Sequence, residues 1–192
     1  MSYDDYRSMV TQLAREGNST GPEQTEALTN YTILNDRRMK RFDKTVKIDS
    51  DTGKKIQSVN NKINWLVLTE SWCGDAAPAM PVMNKIAELN DNIDFKVVLR
   101  DKNHELMQRF LTNGAMSIPK LIMIDGKTNE VLDDWGPRPT FATQKVENYK
   151  RENGKLTPEF KEELQIWYNA NKGRNILEDL VTMLSENPKS GA

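Results

Sequence analysis

Cys73 is the only cysteine in the chain, and it lies in the stretch Thr69-Glu70-Ser71-Trp72-Cys73-Gly74-Asp75-Ala76-Ala77-Pro78. A thiol reacts as its thiolate, which is favoured where unpaired backbone N–H groups and the positive end of a helix dipole face the sulfur. The flanking residues put Cys73 at such a place. Asn64-Trp65-Leu66-Val67-Leu68 reads as a buried strand, and Met80, Val82, Met83, Ile86, Ala87 and Leu89 recur at helical spacing. The expectation is a cysteine at a helix start with a lowered pKa and nucleophilic character. Asp75 works against it, because one negative charge disfavours a second nearby. The bland alternative is a small buried hydrophobe retained for packing.

Other chemistries find little support. A single cysteine forms no internal disulfide, and with His104 as the only histidine a spaced Cys/His metal site is excluded. His104 is too distant in sequence to be assigned to Cys73 and reads as a polar surface residue at a helix cap, so a Cys-His hydrolase is disfavoured. No Ser-His-Asp order, phosphate-cradling glycine loop or paired-carboxylate motif is evident, and no cofactor is implied. Asp49-Ser50-Asp51-Thr52-Gly53 departs from a calcium loop, with its glycine one place early and Asn60 where the last ligand should be glutamate. It reads as a turn.

Lysine and arginine total 27 against 28 aspartates and glutamates, a formal net charge of -1, so nothing global points to nucleic acid or to a membrane. The basic run Arg37, Arg38, Lys40, Arg41, Lys44 and Lys47 is interrupted by Asp36 and Asp43 and reads as a solvated helix face. Trp167-Tyr168 reads as core and rim packing of a helix, not a base-stacking platform. Met1 to Arg7 offers no apolar signal-peptide core, and no run approaches the roughly 18 apolar residues of a membrane span. A soluble, cytoplasmic protein is expected, and the lone cysteine suits a reducing compartment.

The elements that must position Cys73 follow from periodicity. A length of 192 residues suits one domain with extensions. Tyr6, Met9, Val10 and Leu13 mark a first amphipathic helix ending at Gly17-Asn18. After the turn Thr20-Gly21-Pro22, Pro22 is expected to start a long helix striped by Leu28, Tyr31, Ile33, Leu34, Met39, Phe42 and Val46. The polar segment to Asn61 is a loop or short helix. Ile93 to Leu99 forms a strand and His104 to Leu111 a short helix closed by Asn113-Gly114. Ser117-Ile118-Pro119 then leads into the strand Lys120-Leu121-Ile122-Met123-Ile124, where a cis proline is sterically legitimate, and Asp125-Gly126 turns toward Glu130-Val131-Leu132. Three helical segments follow, around Phe141 to Tyr149, Phe160 to Tyr168 and Ile176 to Leu184, with a loose tail from Glu186 to Ala192. The order implies an α/β fold with a central mixed sheet and flanking helices.

These motifs together resemble the thioredoxin superfamily. The likeness rests on Trp72-Cys73-Gly74 at the strand-to-helix turn, Pro81 eight residues after the cysteine, Ile118-Pro119 before a strand, and Gly136 after the hairpin. It covers roughly residues 63 to 150. The resemblance implies a thioredoxin-like core over 61–150, a helical extension over 1–60 packed on it, and a second over 151–192. Within the superfamily, the chain is similar to thioredoxin-like proteins with a Trp-Cys-Gly-Asp site and a Trp-Gly-Pro-Arg-Pro loop, here Trp135-Gly136-Pro137-Arg138-Pro139.

The departures narrow what the resemblance implies. Ala76 stands where the superfamily has its resolving cysteine, Asp75 where it has proline, and Val67 where thioredoxins carry a buried acid, leaving Glu70 as the acid close by. The chain is therefore expected to act through Cys73 as a monothiol, exchanging disulfides with protein thiols or a small thiol such as glutathione, and to be unable to complete a dithiol cycle alone. The competing expectation is a redox-inactive module that binds a protein or peptide in a groove lined by Trp72, Gly74, Ile118, Pro119, Gly136 and Arg138. For Arg138 two roles stay open: favouring the thiolate or binding a partner carboxylate, or pairing with Asp133, Asp134 or Asp75 to fix its loop.

Overall fold

The structure is a computed structural model that describes residues 1–186; the expected tail falls on 187–192 apart from Glu186 and lies outside the described residues. Four strands form one mixed sheet in the order β2-β1-β3-β4, with β1 Ile63–Thr69, β2 Ile93–Leu99, β3 Lys120–Asp125 and β4 Val131–Trp135. β1 pairs parallel with β2, Trp65 opposite Phe95, and antiparallel with β3, Leu66 opposite Ile122. β3 and β4 are antiparallel, with an irregularity between Met123 and Ile124. The central strand β1 is a near-continuous apolar run because helices cover both faces of the sheet. This is the α/β architecture with a mixed sheet and flanking helices that the pattern implied.

Among the described residues eight α-helices surround the sheet: α1 Tyr3–Glu16, α2 Glu26–Thr45, α3 Ser50–Gln57, α4 Ala76–Ala87, α5 His104–Gln108, α6 Thr140–Asn153, α7 Pro158–Asn171 and α8 Arg174–Glu186. α4 lies against β2, α2 packs on α1 and α4, and α8 packs on α4 and α3. Buried apolar side chains run without a break from Tyr3 and Tyr6 through Trp65, Met80 and Leu121 to Leu180 and Leu184. Both ends of the chain thus share the core of the central strands. Among the described residues no helix is long and apolar enough to cross a membrane, and no group of three or more His, Cys, Asp or Glu is placed to hold a metal ion.

Three expectations need correction. Pro22 does not start α2. Thr25 does, with its side chain accepting from the Leu28 N–H, because a threonine hydroxyl satisfies a free helix donor. The apolar stripe expected on α2 holds only in its second half: Met39, Phe42 and Val46 are buried, but Tyr31 and Leu34 are 44% and 40% exposed, and Thr32, Asn35 and Asp36 face inward in their place. Polar contacts turn the helix. Thr32 Oγ1 shares a hydrogen bond with Ser71 Oγ at 2.8 Å, Asn35 Nδ2 donates to Ser71 O, and Arg7 of α1 pairs with both Asp36 and Asp43. Asp49, expected in a turn, instead caps α3 by accepting from the N–H groups of Asp51 and Thr52.

Candidate functional site

Cys73 sits between the end of β1 and the start of α4. Its N–H donates to Glu70 O at 3.1 Å, and Asp75 occupies the N-cap position of the helix. The turn leading to it is held by the N-terminal segment. Thr20 N–H donates to Ser71 Oγ, Ser71 N–H returns a bond to Thr20 Oγ1, and the Trp72 indole N–H donates to Thr20 O. The Arg100 guanidinium lies 4.9 Å from the centre of the Trp72 ring. Trp72 is half-buried, with contacts supplied by the chain itself.

Opposite the sulfur lies the segment before β3. The Ile118–Pro119 peptide bond is cis, as is Gly136–Pro137, and the Cys73 thiol donates to Ile118 O at 3.1 Å. Gly136 has φ +118°, and a Cβ there would fall 2.1 Å from Pro119 O. The 135–139 loop therefore rides on the Pro119 carbonyl at a distance that only glycine permits. Asp179 of α8 fixes the same loop by accepting from the Trp135 indole and from the Thr140 N–H and hydroxyl.

That loop delivers Arg138. Its Nη2 lies 2.6 Å from Asp75 Oδ2, and the Tyr168 hydroxyl of α7 donates to Asp75 Oδ1 at 3.2 Å. Of the partners considered from the sequence, Arg138 pairs with Asp75. Arg38 of α2 contributes a second guanidinium: its Nη1 would lie 3.9 Å from a Cβ on Gly74, and its charge also stabilises the Asp75 carboxylate. Glu70 is fully buried with its side chain turned elsewhere, Oε1 accepting from the Asp101 N–H, while its backbone carbonyl accepts from Tyr6 and Cys73. Val67 is buried apolar packing, and His104 is exposed at the start of α5.

The electrostatics reverse the lowered pKa expected from the helix start. Burial, and next the Asp75 charge, push the Cys73 thiol from its ordinary 9.0 up to about 12, outweighing the N–H groups of Ala76 and Asp75 and the charge of Arg138. Burial also raises the Asp75 pKa, opposed chiefly by Arg138. In this conformation the cysteine is a thiol. Its folded pKa exceeds its unfolded one, so the stability it lends is complete below pH ~9 and is lost as pH rises toward about 12. Urea titrations should show wild type losing stability relative to Cys73→Ala by up to ~1.4 kcal/mol per pH unit above pH ~9. A difference that stays flat to pH ~10.5 would mean that the thiol titrates normally.

Sequence reasoning missed Tyr168 as a site residue, along with Arg38, Asp179 and the Thr20–Ser71 bonds. Each joins segments far apart in sequence, and none belongs to a local motif. The doubling of polar residues at Thr32 and Asn35, one helical turn apart on an otherwise apolar stripe, was the one local sign that α2 faces a polar partner.

A family model described as Thioredoxin matches residues 21–150, reaching back over α2 and α3 as well as the sheet. No curated protein sequence matches the chain. Among solved structures, a protein of unknown function from Pseudomonas aeruginosa is similar, with TM-score 0.64 and 14% identity, over 81% of this chain and 86% of that one. An HIV epitope-scaffold is similar with TM-score 0.60 and 16% identity, over 93% of this chain and 98% of its own. At such identities the likeness is one of fold.

Proposed function

The chain belongs to the thioredoxin family whose model it matches, and on that premise we propose that Cys73 exchanges disulfides as a single thiol. The observation that carries this reading is the placement of the only cysteine with its sulfur against Ile118 O, directly before Pro119, at the turn from β1 into α4. A closer tie to the thioredoxin-like proteins with Trp-Cys-Gly-Asp and Trp-Gly-Pro-Arg-Pro belongs to the same proposal. So do a core over 61–150 with extensions over 1–60 and 151–192, a reducing, cytoplasmic setting, and protein thiols or a small thiol such as glutathione as partners.

In the proposed cycle Cys73 loses its proton to solvent and the thiolate attacks one sulfur of a partner disulfide. The Cys73–partner disulfide forms, the old bond breaks, and the departing thiolate takes up a proton. A second, external thiol then attacks the mixed disulfide and releases Cys73 as the thiol. Ala76, one helical residue past Asp75, offers no sulfur for that step. The net change moves one partner sulfur to the external thiol, with no electrons left on the protein.

Turnover of a small disulfide by excess external thiol tests this. Wild type should accelerate the exchange in proportion to the external thiol, and Cys73→Ser should lose the acceleration. Equal activity of the two proteins would discard the exchange reading. The second reading, a redox-inactive binding module, is favoured by the burial of the Cys73 thiol and its raised pKa; it predicts that a bound protein partner is retained in full by Cys73→Ser.

A further inference from the structure

Cys73 is 6% exposed, so a partner sulfur must displace part of the protein to reach it. The surrounding elements differ in how firmly they are held. The Ser71–Trp72 turn is tied to Thr20, Thr32 and Asn35 through several hydrogen bonds. The Gly136 loop is pressed on Pro119 O and bonded to Asp179 from both sides. The first cannot swing away without breaking a buried network, and the second not without giving up both the Asp179 bonds and the close contact with Pro119 O.

α7 is attached differently. Its buried side chains Phe160, Leu164 and Tyr168 recur every fourth residue, Phe160 and Trp167 stack on Tyr149 and Phe141 of α6, and Ile166 on the outer face is 60% exposed. It makes few close backbone approaches to any other element. At its C-terminal end Lys172 and Gly173 both have positive φ, 55° and 81°, and a Cβ on Gly173 would lie 2.6 Å from Val82 Cγ2 of α4. That end is anchored on α4 and turns sharply there. An element with so few close approaches to the rest of the chain belongs to the low-stability part of a fold.

We propose that α7 is a cover over Cys73 that opens by local unfolding as far as the Lys172–Gly173 turn, latched by the hydrogen bond from Tyr168 to the Asp75 carboxylate that Arg138 also holds. Asp75 is the common point: one oxygen is fixed by the core loop and the other by the cover. Thiol chemistry then takes place in the fraction of molecules whose cover is open, and the closed state keeps the thiol buried and protonated. The functional consequence rests on the exchange reading of Cys73, but the cover itself concerns access alone.

The test compares iodoacetamide alkylation of Cys73 in the folded full-length chain with amide hydrogen exchange over Pro158–Asn171, for wild type and Tyr168→Phe. Losing a hydrogen bond to a carboxylate should raise the open fraction about tenfold. Alkylation and α7 exchange should both accelerate by that factor while exchange in α4 stays unchanged. Leu164→Ala removes an apolar anchor of α7 whose side chain makes no hydrogen bond to the latch, and it should accelerate both in parallel as well. Unchanged alkylation in both variants, or alkylation that rises without faster α7 exchange, would overturn the cover. Alkylation needs no disulfide partner, so accelerated alkylation without disulfide turnover would retire the exchange reading and leave the cover standing.

Discussion

Arg138→Ala is expected to cost about 3 kcal/mol of stability at neutral pH, because breaking a buried ion pair leaves one charge without its partner. The pair is enclosed: the side chains of Arg138 and Asp75 are 23% and 15% exposed. Burial already raises the Asp75 pKa, with Arg138 as the largest opposing influence, so the variant's Asp75 should rise further. A carboxyl with a raised folded pKa binds more protons in the folded than in the unfolded state, and stability then increases as pH falls. The deficit of Arg138→Ala against wild type should therefore shrink as pH falls. Urea unfolding at several pH values reads both effects. A deficit under about 1 kcal/mol, or one independent of pH, would place the pair among surface bridges of little consequence. Arg138→Lys should recover only part of the loss, since an ammonium lacks the planar fork of the guanidinium.

Gly136→Ala should be more damaging still. The added Cβ would fall 2.1 Å from a backbone oxygen, Pro119 O, at a φ of +118° that L side chains rarely adopt. Backbone cannot yield as a flexible side chain can, so both strands of the contact must shift. A loss of about 4 kcal/mol is expected, or roughly 10 °C in Tm for a chain of this size. Gly17→Ala is the control. Gly17 also has positive φ, +70°, but nothing lies within 4 Å of its Cβ position, so only the conformational cost of about 1 kcal/mol applies. Equal losses at the two positions would mean that the Gly136–Pro119 contact is not a structural constraint.

What could be read from the sequence follows from the range of each signal. The strands β1 and β3 are short apolar runs, β2 alternates Ile93, Phe95 and Val97 with exposed Asp94 and Lys96, and helices α1, α6, α7 and α8 carry apolar residues at helical spacing, so local pattern located them. α2 was placed less well because its inward face carries Thr32, Asn35 and Asp36, whose partners lie in α1 and in the turn before Cys73. Periodicity of apolar residues cannot register a face that is buried by hydrogen bonding. At the site, Cys73, Asp75, Pro119, Gly136 and Arg138 were each visible as motif residues, and the fold brings them together. The direction of the Cys73 pKa was not visible. The helix start acts locally and favours a thiolate, whereas the desolvation that wins is set by the folded surroundings, in which the sulfur lies against Ile118 O, distant in sequence. Tyr168 was legible only as helix packing for the same reason.

The central claim is that one thiol, with no partner on the chain, exchanges disulfides. Intact-mass measurement of the folded chain, incubated with hydroxyethyl disulfide and then with added thiol, tests it most directly. The account predicts a single adduct on Cys73, absent in Cys73→Ser, that persists until the external thiol is supplied and is then fully released. A folded chain that forms no adduct while the urea-unfolded chain forms it readily would contradict the claim and leave Cys73 as a buried packing residue.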